Sequence, residues 1–239
     1  MNNRKRVLCL DFDDVIMRTR DFVEPIIEKN APLASEKGLK EALHEARKGF
    51  IDEDGEKEIV NKHFDMKDRF LEEVDKEYQG IINYDEIISI ENTYPNAVEY
   101  INYLCLCGEY SKVYIVSHCN ISREVDAKIK FLDKYCPHVT FIPVPFHVEK
   151  YEKNKVRART SKANYVKVYL NQNDIHDYVL IDDSATNGKD WEEKGGRYIK
   201  FNPRGVAENI YEIGNLNPFY VIAMGQDLRL TDGNEGRKR

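Results

Sequence analysis

A short apolar run that ends abruptly in acidic residues limits what this chain can fold into. Residues 7–10 are all apolar, and Asp11, Asp13 and Asp14 follow them almost at once. An apolar run this short, with charge on both sides, is typical of a strand buried on both faces of a sheet. Sheets buried in this way are usually parallel and covered by helices, so the run predicts an α/β fold.

Further apolar runs repeat the pattern along the chain, at residues 113–116, 139–142, 178–181 and 197–201. Helical patterns alternate with several of them, at residues 95–107, 161–171 and 185–194. Ser161 is a suitable N-cap for the second helix, and Gly195 follows the end of the third. This alternation predicts a doubly wound, mostly parallel, Rossmann-like sheet with helices on its faces.

Residues 18–92 differ from the rest of the chain. They are highly charged, contain no convincing buried strand, and show helical patterns at 38–49 and 66–78 with a loop at 52–55. We therefore predict a helical cap domain, inserted after the first strand and folded over the end of the sheet. The α/β core would comprise residues 1–17 and 93–224, and residues 225–239 would form a mobile polar tail.

Composition excludes several classes of protein. The 239 residues include 36 Lys and Arg against 42 Asp and Glu, a net charge of −6, which argues against broad binding of nucleic-acid duplexes. No apolar run approaches the roughly 18 residues of a membrane span. The five cysteines form no CxxC pair, so reduced thiols are expected rather than a zinc site. We therefore expect a cytoplasmic protein that does not bind membranes.

Polar residues follow the predicted strands where a ligand would bind. Ligands of open α/β sheets lie beyond the carboxyl ends of the strands, and here those ends supply Asp11, Asp13, Ser117, Asp182 and Asp183. Four converging carboxylates are costly unless a cation compensates their charge. Mg²⁺ prefers oxygen ligands and commonly binds beside a phosphate, so it is the expected cofactor.

Four segments, in this order, resemble the motifs of the haloacid dehalogenase (HAD) superfamily. Residues 10–15, which read LDFDDV, resemble the first motif, and the strand that ends at Ser117 resembles the second. Lys162 resembles the third motif, and Asp182 with Asp183 the fourth. The resemblance covers roughly residues 6–202 and implies the fold and chemistry of that superfamily.

A finer resemblance concerns the C-terminal half of the chain. Residues 181–187, Trp191, the Gly195–Gly196 pair and residues 199–202 are similar to the 5′(3′)-deoxyribonucleotidase type. That type has a helical cap between its first and second motifs, where this chain has its helical insertion. The similarity implies a nucleotide phosphatase.

The resemblance implies a role for each motif residue. Asp11 would be the nucleophile that forms an aspartyl-phosphate, and Asp13 would protonate the leaving oxygen and then take a proton from water. Ser117 and Lys162 would hold the phosphate, and His118, which follows Ser117, is a further candidate contact. Mg²⁺ would be held by Asp11, the backbone carbonyl of Asp13, Asp182 and, directly or through water, Asp183.

Two expectations concern charge in this cluster. Proton donation requires a carboxyl pKa above the ordinary value near 4, and crowding of like charges predicts such a rise for one member of the cluster, although Mg²⁺ acts in the opposite direction. Asp14 also stands where the family usually has Gly. Asp tolerates similar backbone geometry, but its charge could discourage phosphate.

Substrate recognition is less closely defined by the sequence. Arg18, Arg20 and Phe22 follow the first motif; either arginine could meet a second phosphate and Phe22 could stack on a base, or all three could simply pack between cap and core. Residues 149–162 are rich in Lys and Arg and could guide a polyanion to the site, or form a solvated loop.

The favoured substrate is a (deoxy)nucleoside monophosphate, and the alternatives are a sugar phosphate or a nucleic-acid 3′-phosphate. Two hypotheses lie outside this enzyme class. A response-regulator receiver would place its phosphorylated Asp after a middle strand, where this chain has Ser117. A catalytically inactive, HAD-like binding protein is disfavoured because all the motif residues are intact.

Overall fold

A computed structural model describes residues 5–77, 81–145, 160–204 and 212–224. Its centre is a single sheet of six parallel strands in the order β3-β2-β1-β4-β5-β6. The strands are β1 (Arg6–Leu10), β2 (Tyr110–Cys119), β3 (Thr140–Pro145), β4 (Tyr178–Asp182), β5 (Arg197–Phe201) and β6 (Glu212–Ile213). The predicted doubly wound α/β fold is confirmed. β6, only two residues long, was not predicted.

Besides a helical segment near its C-terminal end, the described part of the chain contains eight α-helices and short 3₁₀ turns at Pro32–Ala34 and Ile90–Asn92. The helices are α1 (Thr19–Asn30), α2 (Glu36–Lys48), α3 (Glu53–Glu77), α4 (Tyr84–Ile87), α5 (Ala97–Leu106), α6 (Ser122–Tyr135), α7 (Lys162–Tyr169) and α8 (Ala185–Glu193). Residues 218–224 are also helical. The helices predicted at 95–107, 161–171 and 185–194 correspond to α5, α7 and α8, whereas α6 was not predicted.

The side chains of β1 alternate between two hydrophobic clusters, one on each face of the sheet. Leu8 and Leu10 belong to the larger cluster, and Cys9 belongs to the smaller one with Trp191. Trp191 has no exposed surface and packs α8 against the sheet. Because both faces of β1 are covered, its run of apolar residues is explained.

Helices α1 to α4 lie between β1 and β2, and no strand occurs in the described part of residues 18–92. The loop predicted at 52–55 is wrong, because α3 already begins at Glu53. The Asp52 carboxylate accepts the Gly55 N–H at 2.9 Å, and three acidic residues in the first turn favour a helix start there. The division into core and cap remains a prediction.

The two segments that connect this insertion to the sheet run side by side. Met17 and Thr93 form an antiparallel bridge. On either side of it, the Arg18 N–H donates to the Asn92 carbonyl at 3.0 Å and the Tyr94 N–H donates to the Ile16 carbonyl at 2.9 Å. The chain therefore leaves the sheet and returns to it through one hydrogen-bonded ribbon. The predicted tail at 225–239 lies outside the described residues.

None of the helices in the described ranges combines the length and the apolar character that crossing a bilayer requires. All five cysteines are free thiols, and Cys9, Cys119 and Cys136 are buried.

Candidate active site

Three carboxylates converge at the carboxyl ends of the two central strands. Asp11 follows β1, Asp182 is the last residue of β4, and Asp183 comes next. Each offers an oxygen that lies within 4.8 Å of the others. Because β1 and β4 are paired in parallel, their ends meet at the same edge of the sheet. A group of hard oxygen donors at this spacing fits Mg²⁺.

Asp182 is held in one orientation by several donors. Its Oδ1 accepts the Ser184 N–H at 2.8 Å, and the Asn187 side-chain amide lies 3.2 Å from Oδ1 and 3.1 Å from Oδ2. The Tyr198 hydroxyl donates to the Asp182 carbonyl at 3.1 Å. The start of α8 therefore orients this carboxylate, and β5 holds the backbone carbonyl of the same residue.

Lys162 joins the first and fourth motifs. Its Nζ lies 2.8 Å from Asp11 Oδ2 and 2.8 Å from Asp182 Oδ2, and its side chain is 1% exposed. It is the first residue of α7, whose N-cap is Ser161, as predicted. The Ser161 Oγ accepts the Asn164 N–H at 3.1 Å and donates to Asp190 Oδ2 at 2.6 Å. The cap thus fixes the helix turn that presents Lys162.

Asp13 points to a different set of partners. The Thr19 hydroxyl donates to its Oδ1 at 2.7 Å, and the Ser117 hydroxyl donates to its Oδ2 at 2.8 Å. The Lys128 Nζ lies 2.6 Å from the same Oδ2. The Asp13 side chain is 28% exposed. Its carboxylate is not one of the three that cluster at Asp11, and the metal contact predicted for it concerns only its backbone carbonyl.

Lys128 was not predicted to lie at the site, because helix α6, which carries it, was not predicted. The buried positions of α6 include Glu124, Ala127, Lys128, Phe131 and Leu132, which recur at the spacing of one helix face. A Glu and a Lys four residues apart on this otherwise apolar face are the signal that could have revealed the pair, because charged residues are rarely buried unless they are paired.

The pKa values of the two motif-one carboxyls move in opposite directions. Burial raises the pKa of Asp11 well above its ordinary value; Lys162 opposes the rise, and the nearby carboxylates of Asp182, Asp13 and Asp183 add to it. Burial would also raise the pKa of Asp13, but the charge and hydrogen bond of Lys128, together with the hydrogen bonds of Thr19 and Ser117, outweigh it, so that this pKa is lowered. The predicted rise is therefore found at Asp11 and, through burial and the charge of Asp182, also at Asp183, but not at Asp13, the expected proton donor.

Asp14 has the left-handed backbone that the family's glycine would favour, with φ of 56°. Its carboxylate accepts the Arg20 N–H at 3.1 Å and lies 3.0 Å from Arg20 Nε. Arg20 Nη2 also reaches Asp183 Oδ2 at 2.8 Å. Burial, opposed by Arg20, raises the Asp14 pKa to about 7. Arg20 therefore balances the additional acidic charge and ties the start of α1 to the acidic cluster.

His118, Arg18 and Phe22, which were predicted to contact the substrate, have partners within the protein. His118 lies within β2, and its Nε2 is 2.8 Å from the Thr160 carbonyl, so this nitrogen links β2 to the segment before α7. Arg18 contacts the Glu91 carbonyl and Asp21, and not the acidic cluster. Phe22 packs against the larger hydrophobic cluster.

Of the three residues that follow motif one, Arg20 is the one the structure brings to the site. Contacts of His118 and Arg18 with substrate, and stacking on Phe22, stay predictions. The basic segment at 149–162 lies outside the described residues, apart from its last three.

Comparison with known proteins shows a similarity in structure. No protein-family model matches the chain, and no curated protein matches it. Among solved structures, YfnB from Bacillus subtilis, assigned as a HAD-hydrolase and bound to magnesium, is 22% identical, with a TM-score of 0.50 over 92% of this chain and 99% of that one. A dehalogenase is 13% identical, with a TM-score of 0.50 over 93% of this chain and 98% of that one. The chain therefore has the fold of HAD-superfamily hydrolases.

Proposed function

We propose that this protein is a Mg²⁺-dependent phosphomonoester hydrolase that acts through an aspartyl-phosphate on Asp11. One observation supports the proposal above all others: the carboxylates of Asp11, Asp182 and Asp183 lie within 4.8 Å of one another, and Lys162 bridges Asp11 and Asp182. Carboxylates on two different strands, joined by a buried lysine, make a site for a cation and a phosphate together.

The residues of the site account for the two steps of hydrolysis. In the first step, an Asp11 carboxylate oxygen forms a bond to phosphorus while the bond from phosphorus to the leaving oxygen breaks. In the second, water attacks the phosphorus of the aspartyl-phosphate, inorganic phosphate leaves, and the Asp11 carboxylate is regenerated. Lys162 would hold a phosphate oxygen, and the Ser117 hydroxyl, which here donates to Asp13, would turn its hydrogen to the phosphate when substrate binds. Asp11, Asp182 and Asp183 would hold Mg²⁺. When bound, the ion supplies positive charge that offsets the charge on the transferring phosphoryl group.

The contacts with Lys128 favour the ionised form of Asp13, and this form suits the second step, in which Asp13 takes a proton from the attacking water. The protonated Asp13 then gives that proton to the leaving oxygen of the next substrate molecule, whereas a leaving group that departs as a stable anion needs no proton. p-Nitrophenyl phosphate carries such a leaving group, so it is the first substrate to test.

The decisive variant for the nucleophile is Asp11→Asn. It keeps the shape of the side chain and removes the attacking oxygen, so we expect turnover of p-nitrophenyl phosphate to fall by at least about 10³-fold. Asp133→Asn, which changes an exposed carboxylate on α6, is the matched control and should keep the wild-type rate. Circular dichroism verifies that both variants are folded. A folded Asp11→Asn protein with the wild-type rate would remove Asp11 as the nucleophile.

For the substrate, we propose a (deoxy)nucleoside monophosphate, with sugar phosphates and nucleic-acid 3′-phosphates as alternatives. A cavity of about 190 Å³ opens beside Asp183, lined by Arg20, Lys200, Asn202 and Arg204 among others. Its polar and cationic lining suits a leaving group rich in hydroxyl groups, which nucleosides and sugars share.

A panel of nucleoside monophosphates, sugar phosphates and 3′-phosphorylated oligonucleotides, ranked by kcat/KM, distinguishes the three classes. We expect the nucleoside monophosphates to rank first. A higher kcat/KM for either of the other classes would replace the nucleotide assignment.

A further inference from the structure

Lys128 is a second buried cation in the site, and no motif accounts for it. Its side chain has no exposed surface, and its Nζ lies 2.6 Å from Asp13 Oδ2, 2.7 Å from Glu124 Oε1 and 3.1 Å from Ser117 Oγ. Fully buried lysines are rare, because removing the charge from water is costly unless counter-charges and hydrogen bonds compensate. The contacts of Lys128 with two motif residues therefore call for a role in the site.

Helix α6 gives Lys128 one fixed position. Glu124 lies one turn earlier on the same buried face, and its Oε2 accepts the Asn120 N–H at 2.9 Å, so that Glu124 is itself held at the helix start. The ring of Phe12 lies 5.2 Å from the Lys128 Nζ, on the side of β1. Backed by a fixed carboxylate and an aromatic ring, the ammonium can move little.

The ammonium group has no donor left for a ligand. A lysine ammonium carries three N–H donors, and its three closest partners, Asp13, Glu124 and Ser117, match that number, with the His118 carbonyl farther away at 3.4 Å. A phosphate could reach Lys128 only by displacing one of the three, whereas the Asp13 side chain is 28% exposed. Lys128 is therefore placed to act through Asp13 and Ser117 and not on the substrate itself.

We propose that Lys128, backed by Glu124, is a positioning residue that holds the Asp13 carboxylate and the Ser117 hydroxyl in fixed places beside Asp11. The proposal rests on the proposed phosphatase function. Two buried lysines then contact different side chains of the site. Lys162 contacts Asp11 and Asp182, and Lys128 contacts Asp13 and Ser117. A merely structural ion pair would affect stability, whereas a positioning pair also affects the chemical step.

The test compares Lys128→Met with the double variant Glu124→Gln/Lys128→Met in steady-state hydrolysis of p-nitrophenyl phosphate at saturating Mg²⁺. The double variant leaves no uncompensated charge at position 124, so it remains informative if the single variant fails to fold. We expect kcat of the double variant to fall by about 10²-fold, the scale of a misplaced catalytic group, while KM stays within about threefold of wild type. Lys130→Met, which removes an exposed lysine on the same helix, should match wild type.

Two kinetic outcomes would overturn the proposal. A double variant with the wild-type kcat would mean that Lys128 only neutralises Glu124. A KM raised about tenfold or more, with kcat unchanged, would make Lys128 a direct phosphate ligand.

If wild-type protein hydrolyses no phosphate ester, the proposed function fails, and the positioning role is then judged from crystal structures of wild type and the double variant. We expect the Asp13 carboxylate in the double variant to leave hydrogen-bonding distance of the Ser117 Oγ. An Asp13 that keeps its 2.8 Å contact with Ser117 would overturn the positioning role without any activity measurement.

Discussion

Single residues with the same formal charge behave differently in this molecule because their neighbours differ. Asp11 and Asp13 are two positions apart, yet Asp11 lies in the carboxylate cluster and Asp13 lies against Lys128. Their pKa values consequently shift in opposite directions. The different properties of these two identical side chains are thus determined by neighbours from distant parts of the chain.

His63 is a residue whose surroundings predict a pH dependence of stability. It lies on α3, is 4% exposed, and its Nδ1 has no hydrogen-bond partner within the described residues. Burial lowers its pKa below the ordinary value of 6.5, and Lys67 on the same helix acts in the same direction. The Leu33 carbonyl and the carboxylates of Glu24 and Glu36, from the elements packed against it, oppose this change.

We therefore predict that His63 favours the neutral form in the folded protein. Its contribution to stability is fully present above about pH 6.5 and declines as the pH falls below that value, because the unfolded chain binds the proton more readily. Urea unfolding from pH 5 to 8 should show a steeper loss below pH 6.5 for wild type than for His63→Gln. The exposed His138 supplies the control, His138→Gln, which should follow wild type. Parallel curves for wild type and His63→Gln would contradict the prediction.

At the scale of elements, helix starts determine where two site residues lie. Lys162 is the first residue of α7, and Asp182 is oriented by the first turn of α8. Both helices are preceded by an N-cap serine whose hydroxyl accepts a backbone N–H, Ser161 for α7 and Ser184 for α8. Local capping chemistry therefore sets the geometry of the cation and the carboxylate that meet between the two helices.

Removing the α7 cap should weaken the fold measurably. Ser161→Ala deletes the acceptor of the Asn164 N–H and the donor to Asp190, so we expect the free energy of unfolding to fall by about 1 to 2 kcal/mol. Ser161→Thr keeps the hydroxyl and should lose less. Urea unfolding at neutral pH measures both variants. Equal stability of Ser161→Ala and wild type would show that the cap contributes nothing.

Most of the elements could be predicted because their patterns are local. The five longer strands are visible in the sequence as apolar runs, and the N-cap of α7 is visible as a serine. The positions of Asp11 and Asp182 follow from the ends of two of these strands. By contrast, α6 carries Glu124 and Lys128 on its buried face, which interrupts the apolar pattern that would have revealed it. β6 consists of two residues and has too short a pattern to recognise. Arg20 could be proposed as a ligand contact, but its pairing with Asp14 and Asp183 depends on how the chain folds back.

At the scale of the whole molecule, the helical insertion and the sheet meet next to the acidic cluster. Arg20, on the first turn of α1, contacts Asp183 at the end of β4 and also Glu36 on α2, whose Oε1 lies 3.5 Å from Arg20 Nε. A single guanidinium thus joins two helices of the insertion to the edge of the sheet. Ligand binding at the cluster is therefore expected to influence the stability of the whole chain.

Mg²⁺ should stabilise the protein if the cluster binds it. At ten times its dissociation constant, a ligand of the folded state adds about 1.4 kcal/mol, which for a chain of this length raises Tm by about 3 to 6 °C. Differential scanning calorimetry with Mg²⁺, and again after chelation, measures the shift. Asp182→Asn should show a much smaller shift, whereas Asp133→Asn should match wild type. The same shift in Asp182→Asn would place the bound ion elsewhere.

The paired segments around Met17 and Thr93 restrict how the insertion can move. Two strands of backbone that are hydrogen-bonded to each other resist torsion more than one strand does, because twisting would break the bonds between them. Displacement of the helices relative to the sheet must then be a bend about one axis, in which both strands flex together. Since the guanidinium at position 20 and the carboxylate at position 183 lie on opposite sides of that ribbon, any such bend has to stretch or break the contact between them.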